Sequence, residues 1–194
     1  MIRRKIALDA DGVLLDFDRH FQRHMEYKLG RKLPVLSDSF QLTARYGIDG
    51  FWNDLAQDAV FWSGMPLLPD AKNLIYALED MGFEVWVVTA IGEEQRKSRA
   101  ISLSGLIPAG RIVCAGWTAT PQDKANILHD LGTVGFLDDQ WEHVLHAGML
   151  PKMLCTRYYC CGRYDVGEVP VEVGVVDDVM DFPVALEASM RRWA

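Results

Sequence analysis

Short apolar runs closed by polar turns alternate along most of this chain with longer stretches whose apolar residues return at helical spacing. Lys5 to Leu8 is the first such run. It is followed at once by Asp9-Ala10-Asp11-Gly12, and so predicts a buried strand ending in a polar turn. From Leu15 to Leu29 the periodicity is helical, with Phe17, Phe21, Met25 and Leu29 on one stripe and Gly30 as the stop. Residues 31–68 break the rhythm. Their aromatic and polar residues (Phe40, Tyr46, Phe51, Trp52, Phe61 and Trp62) follow no strand pattern and predict a small, mostly helical insertion that includes the preceding helix.

After Pro69 the alternation resumes. Asp70 to Met81 predicts a helix closed by Gly82, Glu84 to Val88 a strand ending at Thr89, and Glu93 to Ser104 another helix. Arg111 to Cys114 is a short strand, and Pro121 to Leu131 a helix with Thr120 as N-cap and Pro121 at its first position. Val134 to Leu137 predicts a strand ending in Asp138-Asp139, Trp141 to Ala147 a helix, and Lys152 to Thr156 a further strand. In the tail from Tyr158, Val171 to Val176 reads as an edge strand and Pro183 to Trp193 as a closing helix. Repeated strand–helix units predict an α/β fold with a parallel sheet covered by helices on both faces.

A chain of 194 residues suffices for one domain with a sizeable core and one modest insertion. The division this implies is a core of residues 1–16 and 68–194, interrupted by an insertion of residues 17–67. With 49% hydrophobic and 24% charged residues the composition is that of an ordinary globular protein. A formal charge of -7 repels a polyphosphate backbone, which argues against a nucleic-acid polymer as partner but allows a small anion in a locally positive site. No stretch supplies the roughly 18 uncharged apolar residues of a membrane span. The N-terminus opens like a signal peptide but places acids where an apolar run should continue, so it reads as the first strand of a cytoplasmic protein. A homodimer is the assembly held open. Among the cysteines, Cys155, Cys160 and Cys161 could form a metal knot with His143 or His146. Their spacing fits no zinc ribbon or finger, so buried free thiols, Cys114 included, are the expectation.

Polar residues cluster where predicted strands end: Asp9 and Asp11 after the first, Thr89 at the second, Asp138 and Asp139 after a later one. Ligands of an open parallel sheet bind beyond those ends. Each position alone has an ordinary reading, as a turn, a helix cap or a β-branched strand residue. Together they place several carboxylates and a hydroxyl on one rim. Residues two apart in extended chain face the same side, so Asp9 and Asp11 can share a site. Converging carboxylates repel one another unless a cation sits among them, and oxygen-only ligands favour a hard ion, most commonly magnesium bridging to a phosphate. Lys124 adds to this. It falls in the first turn of its helix, where the dipole disfavours a cation, which suggests a neighbouring anion.

Asp9-Ala10-Asp11-Gly12-Val13, Thr89 after a strand, Lys124, and Asp138-Asp139 after a strand resemble, in that order, the four motifs of the haloacid dehalogenase-like phosphatases. The resemblance covers about residues 1–150. It implies a Rossmann-like parallel sheet flanked by helices, with a small helical cap inserted after the first strand. It also implies a magnesium-dependent phosphomonoester hydrolase. Asp9 would be the nucleophile that forms an aspartyl-phosphate, and Asp11 the acid and then base. The Thr89 hydroxyl and the Ala90 backbone NH would hold phosphoryl oxygens, and Lys124 would neutralise them. The metal would sit on Asp9, the backbone carbonyl of Asp11, and Asp139 with Asp138 in support, the choice between these last two being almost even.

Asp9 through Phe17 and Leu67-Leu68-Pro69-Asp70-Ala71 resemble more narrowly the 5′(3′)-deoxyribonucleotidases of that superfamily. This implies a nucleoside monophosphate as substrate, with Phe17, Trp52, Phe61 and Trp62 as candidates to stack on its base. After Thr89, however, Ala90-Ile91-Gly92 stands where those enzymes commonly have serine and proline. A non-nucleotide phosphate ester, or a non-catalytic relative that binds a partner, are the alternatives. A signalling receiver domain is excluded by the order of its acids along the chain.

Overall fold

The computed structural model describes residues 3–147, 154–155 and 174–191. After β1 (Lys5–Leu8) come α1 (Phe17–Leu29), α2 (Leu42–Tyr46), α3 (Trp52–Ala56), α4 (Ala59–Ser63) and α5 (Ala71–Asp80). The chain continues with β2 (Glu84–Thr89), α6 (Arg96–Ser102), β3 (Ile112–Cys114), α7 (Pro121–Leu131), β4 (Thr133–Leu137) and α8 (Trp141–His146). Last come β5 (Leu154–Cys155), β6 (Gly174–Val175) and α9 (Asp181–Arg191). The first four strands form one parallel sheet in the order β3-β2-β1-β4.

β1 lies inside that sheet, which is why it reads as an unbroken apolar run: Ile6, Ala7 and Leu8 are all buried. Alternate residues face opposite layers. Ile6 and Leu8 join Val85, Val87 and the α5 residues Leu74, Ile75 and Leu78 in the larger core. Ala7 and Val88 instead meet Phe136, Leu128 of α7 and Val144 of α8. From β1 the chain builds outward through β2 to β3, then crosses back to place β4 on the other side of β1. The carboxyl ends of β1 and β4 therefore flank the point where strand order reverses, the usual ligand crevice of such sheets.

Helices α1–α4 form the helical insertion after β1. The chain enters and leaves it through adjacent segments: Asp16 N donates to Pro66 O and Leu68 N to Leu14 O, both at 2.9 Å. Rings fill its interior, with Phe21 4.9 Å from Phe51 and Phe61 5.0 Å from Trp62 between centroids. Leu29 departs from the expected stripe. It is 44% exposed, because α1 ends there, the chain reverses through left-handed Gly30, and Leu33 is the next residue buried. The insertion also docks on the sheet layer: α4 packs against α6, and buried Gln95 donates to Ala56 O at 2.6 Å.

Elsewhere the differences are at element ends. The expected helix from Glu93 begins as a single tighter turn, Glu93–Gln95, before α6. Residues 174–175 pair with residues 154–155 in a separate two-stranded parallel sheet. α9 starts at Asp181, and Val179, Phe182 and Leu186 join the larger core. Cys160, Cys161 and the outer parts of the strands expected at Lys152–Thr156 and Val171–Val176 lie outside the described residues, as do Trp193 and the Cys155 side chain.

Candidate active site

The Asp9 NH donates to Leu137 O at 2.8 Å, extending the β1–β4 ladder by one bond and placing Asp9 at the switch point. Next the chain turns sharply. Gly12 has φ 80, a left-handed conformation that costs glycine little, and its NH donates to Leu15 O at 2.9 Å. Asp9 and Asp11 both line a cavity of about 690 Å³ that opens between the strand ends and the insertion.

Lys124 is set by the start of α7. Thr120 Oγ1 accepts from Asp123 N at 3.2 Å while Asp123 Oδ2 accepts from Thr120 N at 2.9 Å, a reciprocal capping box with Pro121 inside it. That phase turns Lys124 inward, where it is 2% exposed. Its Nζ donates to Asp9 Oδ1 at 2.6 Å and to Asp138 Oδ2 at 2.7 Å. Two carboxylates thus offset the unfavourable dipole of the helix start.

The acids after β4 differ in surroundings. Asp138 Oδ1 accepts from Gln140 N at 2.8 Å, and Oδ2 faces both Lys124 Nζ and, at 3.0 Å, His143 Nδ1. Asp139 lines the cavity and Asp138 does not. Oxygens of Asp9, Asp138 and Asp139 lie within 4.8 Å of one another in a buried acidic cluster. Such a set, all oxygen and net negative, fits a hard divalent cation better than a soft one.

Burial dominates the electrostatics of Asp9, raising its pKa from 3.8 to about 6 against the opposing pull of Lys124. Burial also works against the charged forms of Lys124 and Asp138, but their mutual attraction wins. Lys124 is held above the ordinary lysine value by Asp138 and Asp9, and Asp138 below the ordinary carboxylate range by Lys124 and His143.

Thr89 ends β2 with its hydroxyl buried and without a hydrogen-bond partner, and the next residue, Ala90, lines the cavity. Asp11 Oδ1 is likewise buried without a partner. Of the aromatic candidates, Phe17, Trp52 and Trp62 line the cavity. Phe61 does not. Neighbouring residues of a helix point about 100° apart, so with Trp62 turned to the cavity Phe61 packs edge-on against Phe17 at 5.9 Å in the interior of the insertion.

Several residues at the site escaped the sequence reading. Phe40 and Trp117 join the aromatic wall, the Trp117 ring 5.3 Å from that of Trp62. His143 stands beside Asp138, its Nδ1 3.0 Å from Oδ2, and Cys114 is a half-buried free thiol. Arg99 of α6 donates to Asp11 Oδ2 at 2.7 Å. Only Phe40, in the aromatic-rich insertion, offered a local signal; Trp117 has no aromatic neighbour along the chain, and an arginine among charged neighbours reads as solvated.

The whole architecture is similar to that of a haloacid dehalogenase-like hydrolase from Burkholderia xenovorans, with a TM-score of 0.63 at 14% identity over 97% of this chain and 99% of that one. It is also similar to a hydrolase of the same family from Deinococcus radiodurans with bound phosphate and sodium, with a TM-score of 0.61 at 13% identity over 97% and 96%. An L-2-haloacid dehalogenase gives a TM-score of 0.59 at 16% identity over 96% and 100%. The likeness shows the fold: a haloacid dehalogenase-like α/β sheet with its helical insertion after β1. The chain matches no protein-family model and no curated protein.

Proposed function

We propose that the chain is a magnesium-dependent phosphomonoester hydrolase that works through an aspartyl-phosphate on Asp9. The observation that carries this is the buried Asp9 carboxylate with the Lys124 ammonium 2.6 Å away, at the base of a cavity that Asp11 also lines. In this reading Asp9 attacks phosphorus, and the bond to the leaving oxygen breaks as Asp11 gives that oxygen a proton. Asp11 then takes a proton from the water that releases phosphate. The unpartnered Thr89 hydroxyl and the Ala90 backbone NH are the donors for phosphoryl oxygens, and Lys124 opposes the charge that two anions bring together. Asp9, Asp139 and the Asp11 backbone carbonyl would hold the magnesium, with Asp138, whose oxygens already serve Gln140, Lys124 and His143, orienting from behind. When bound, the ion supplies Lewis-acid neutralisation of the phosphoryl group. The Deinococcus radiodurans structure, with its bound phosphate, accords with such a substrate.

For the finer identity we propose a nucleoside monophosphate. The cavity has the size of a small-molecule site, and the rings of Phe17, Trp52 and Trp117 offer flat apolar surface to a base, with Trp62 buried behind them. Residues 1–16 and 68–194 then act as the catalytic core and residues 17–67 as the cap, a division supported by the paired segments at Leu14–Asp16 and Pro66–Leu68. Phosphate release from nucleoside monophosphates and sugar phosphates, with magnesium and with chelator, tests both levels. Magnesium-dependent release, fastest from a nucleotide, is expected. Faster release from every sugar phosphate overturns the nucleotide assignment alone, and no release from any ester overturns the hydrolase.

A further inference from the structure

Arg99 has no solvent exposure, yet its guanidinium is poorly satisfied. Nη2 donates to Asp11 Oδ2 at 2.7 Å, Nη1 meets the Met65 sulfur at 3.5 Å, and Nε has no hydrogen-bond partner. Burying a cation on a single carboxylate contributes little to stability, because desolvation offsets most of the attraction. Apolar packing would serve α6 as well. What the arrangement does achieve is asymmetry at Asp11. One oxygen is held by the guanidinium, while the other, Oδ1, is buried without a partner on a residue that lines the cavity. The guanidinium also lies over Trp62 of α4, 5.2 Å from the ring centroid, and Trp62 lines the same cavity.

We infer that Arg99 is a positioning residue, which holds Asp11 by Oδ2 so that Oδ1 exchanges the proton with the leaving group, and which ties that orientation to the seating of Trp62. The inference rests on the reading of Asp11 as proton donor. As the phosphorus–oxygen bond breaks, its electron pair stays on the leaving oxygen, which takes the Oδ1 proton. Asp11 is left a carboxylate with the guanidinium already in place for the new charge. A preorganised cation of this kind favours the transition state over the ground state.

Leaving groups separate this role from mere structural support. kcat/KM reports the step in which the ester bond breaks, and p-nitrophenol departs without protonation whereas glycerol does not. Arg99→Met is expected to lower kcat/KM about 100-fold on glycerol 2-phosphate and about tenfold or less on p-nitrophenyl phosphate, within the range of general acid catalysis. Added to Asp11→Asn, it should cause no further loss. Arg99→Lys, which keeps the cation, should recover part of the glycerol phosphate activity, and it supplies the same ratio of the two esters if Arg99→Met does not fold. Equal losses on both esters, or a loss that multiplies with that of Asp11→Asn, would overturn the inference. If the unaltered chain cleaves both esters and Asp9→Asn cleaves neither, that failure concerns Arg99 alone. If Asp9→Asn is as active as the unaltered chain, the hydrolase reading itself has failed.

Discussion

At the floor of the cavity, Lys124 touches two carboxylates within 2.7 Å and both oxygens of Asp138 are engaged, all on side chains carried by strand ends and one capped helix. At the wall, Trp52 is 48% exposed on a helix of 5 residues. The floor is polar, buried and fixed by charge; the wall is aromatic, partly wet and fixed by ring packing. Charge pairs inside a protein tolerate little displacement, whereas apolar surfaces accept many shapes. If the proposed hydrolysis holds, the floor makes and breaks bonds and the wall recognises what is attached to the phosphate.

Substitutions can break that separation or sharpen it. Asp9→Asn should lower kcat by at least about 10⁴-fold with the fold intact, as removal of a nucleophile does. Circular dichroism and phosphate release check it, and normal turnover would remove the floor from the chemistry. Lys124→Met leaves Asp9 and Asp138 buried without their cation, and should cost about 3–5 kcal/mol of unfolding free energy in urea together with most of the activity. A loss confined to activity would show that the acids relax without it.

A third expectation concerns pH in the metal-free protein. Folding raises the Asp9 pKa from 3.8 to about 6, so the folded state holds that proton more tightly than the unfolded chain. Ionising Asp9 therefore costs stability: nothing below about pH 4, increasing from there to about pH 6, and constant above, at most about 3 kcal/mol. Asp9→Asn should accordingly gain on the unaltered protein as pH rises through that window, measured as midpoint shifts between pH 4 and 7.5. An advantage independent of pH would contradict the burial of that charge. The smallest effect belongs to the wall. Trp52→Ala should raise KM for a nucleoside monophosphate about tenfold and leave kcat within about twofold, since stacking on a base contributes about 1–3 kcal/mol. A fall in kcat at constant KM would mean that the wall takes part in the chemistry.

Much of the floor was legible in the sequence because its positions are local consequences of strand ends and a helix start. Asp9, Thr89 and the 138–139 pair follow apolar runs, and Thr120-Pro121 fixes the phase that turns Lys124 inward. The choice between Asp138 and Asp139 was not legible, since it depends on how the chain turns after β4 and on where His143 returns. Arg99 was hidden for a related reason. Its burial comes from the docking of α4 on α6, a contact between distant parts of the chain that no periodicity within residues 96–102 records. The wall was least legible. Phe61 and Trp62 are neighbours with similar side chains, and only the rotation of a short helix decides which one meets the cavity.

The crossing of chain between floor and wall has one more consequence. Leu14–Asp16 and Pro66–Leu68 run side by side, bonded to each other at 2.9 Å, so the polypeptide departs and comes home at nearly the same point. Closing a longer or shorter excursion between those anchors changes the entropy only slowly with length. Residues 17–67 can thus lengthen or shorten at small entropic cost with the sheet beneath never rethreaded, so long as the face of α4 that seats on α6 is kept.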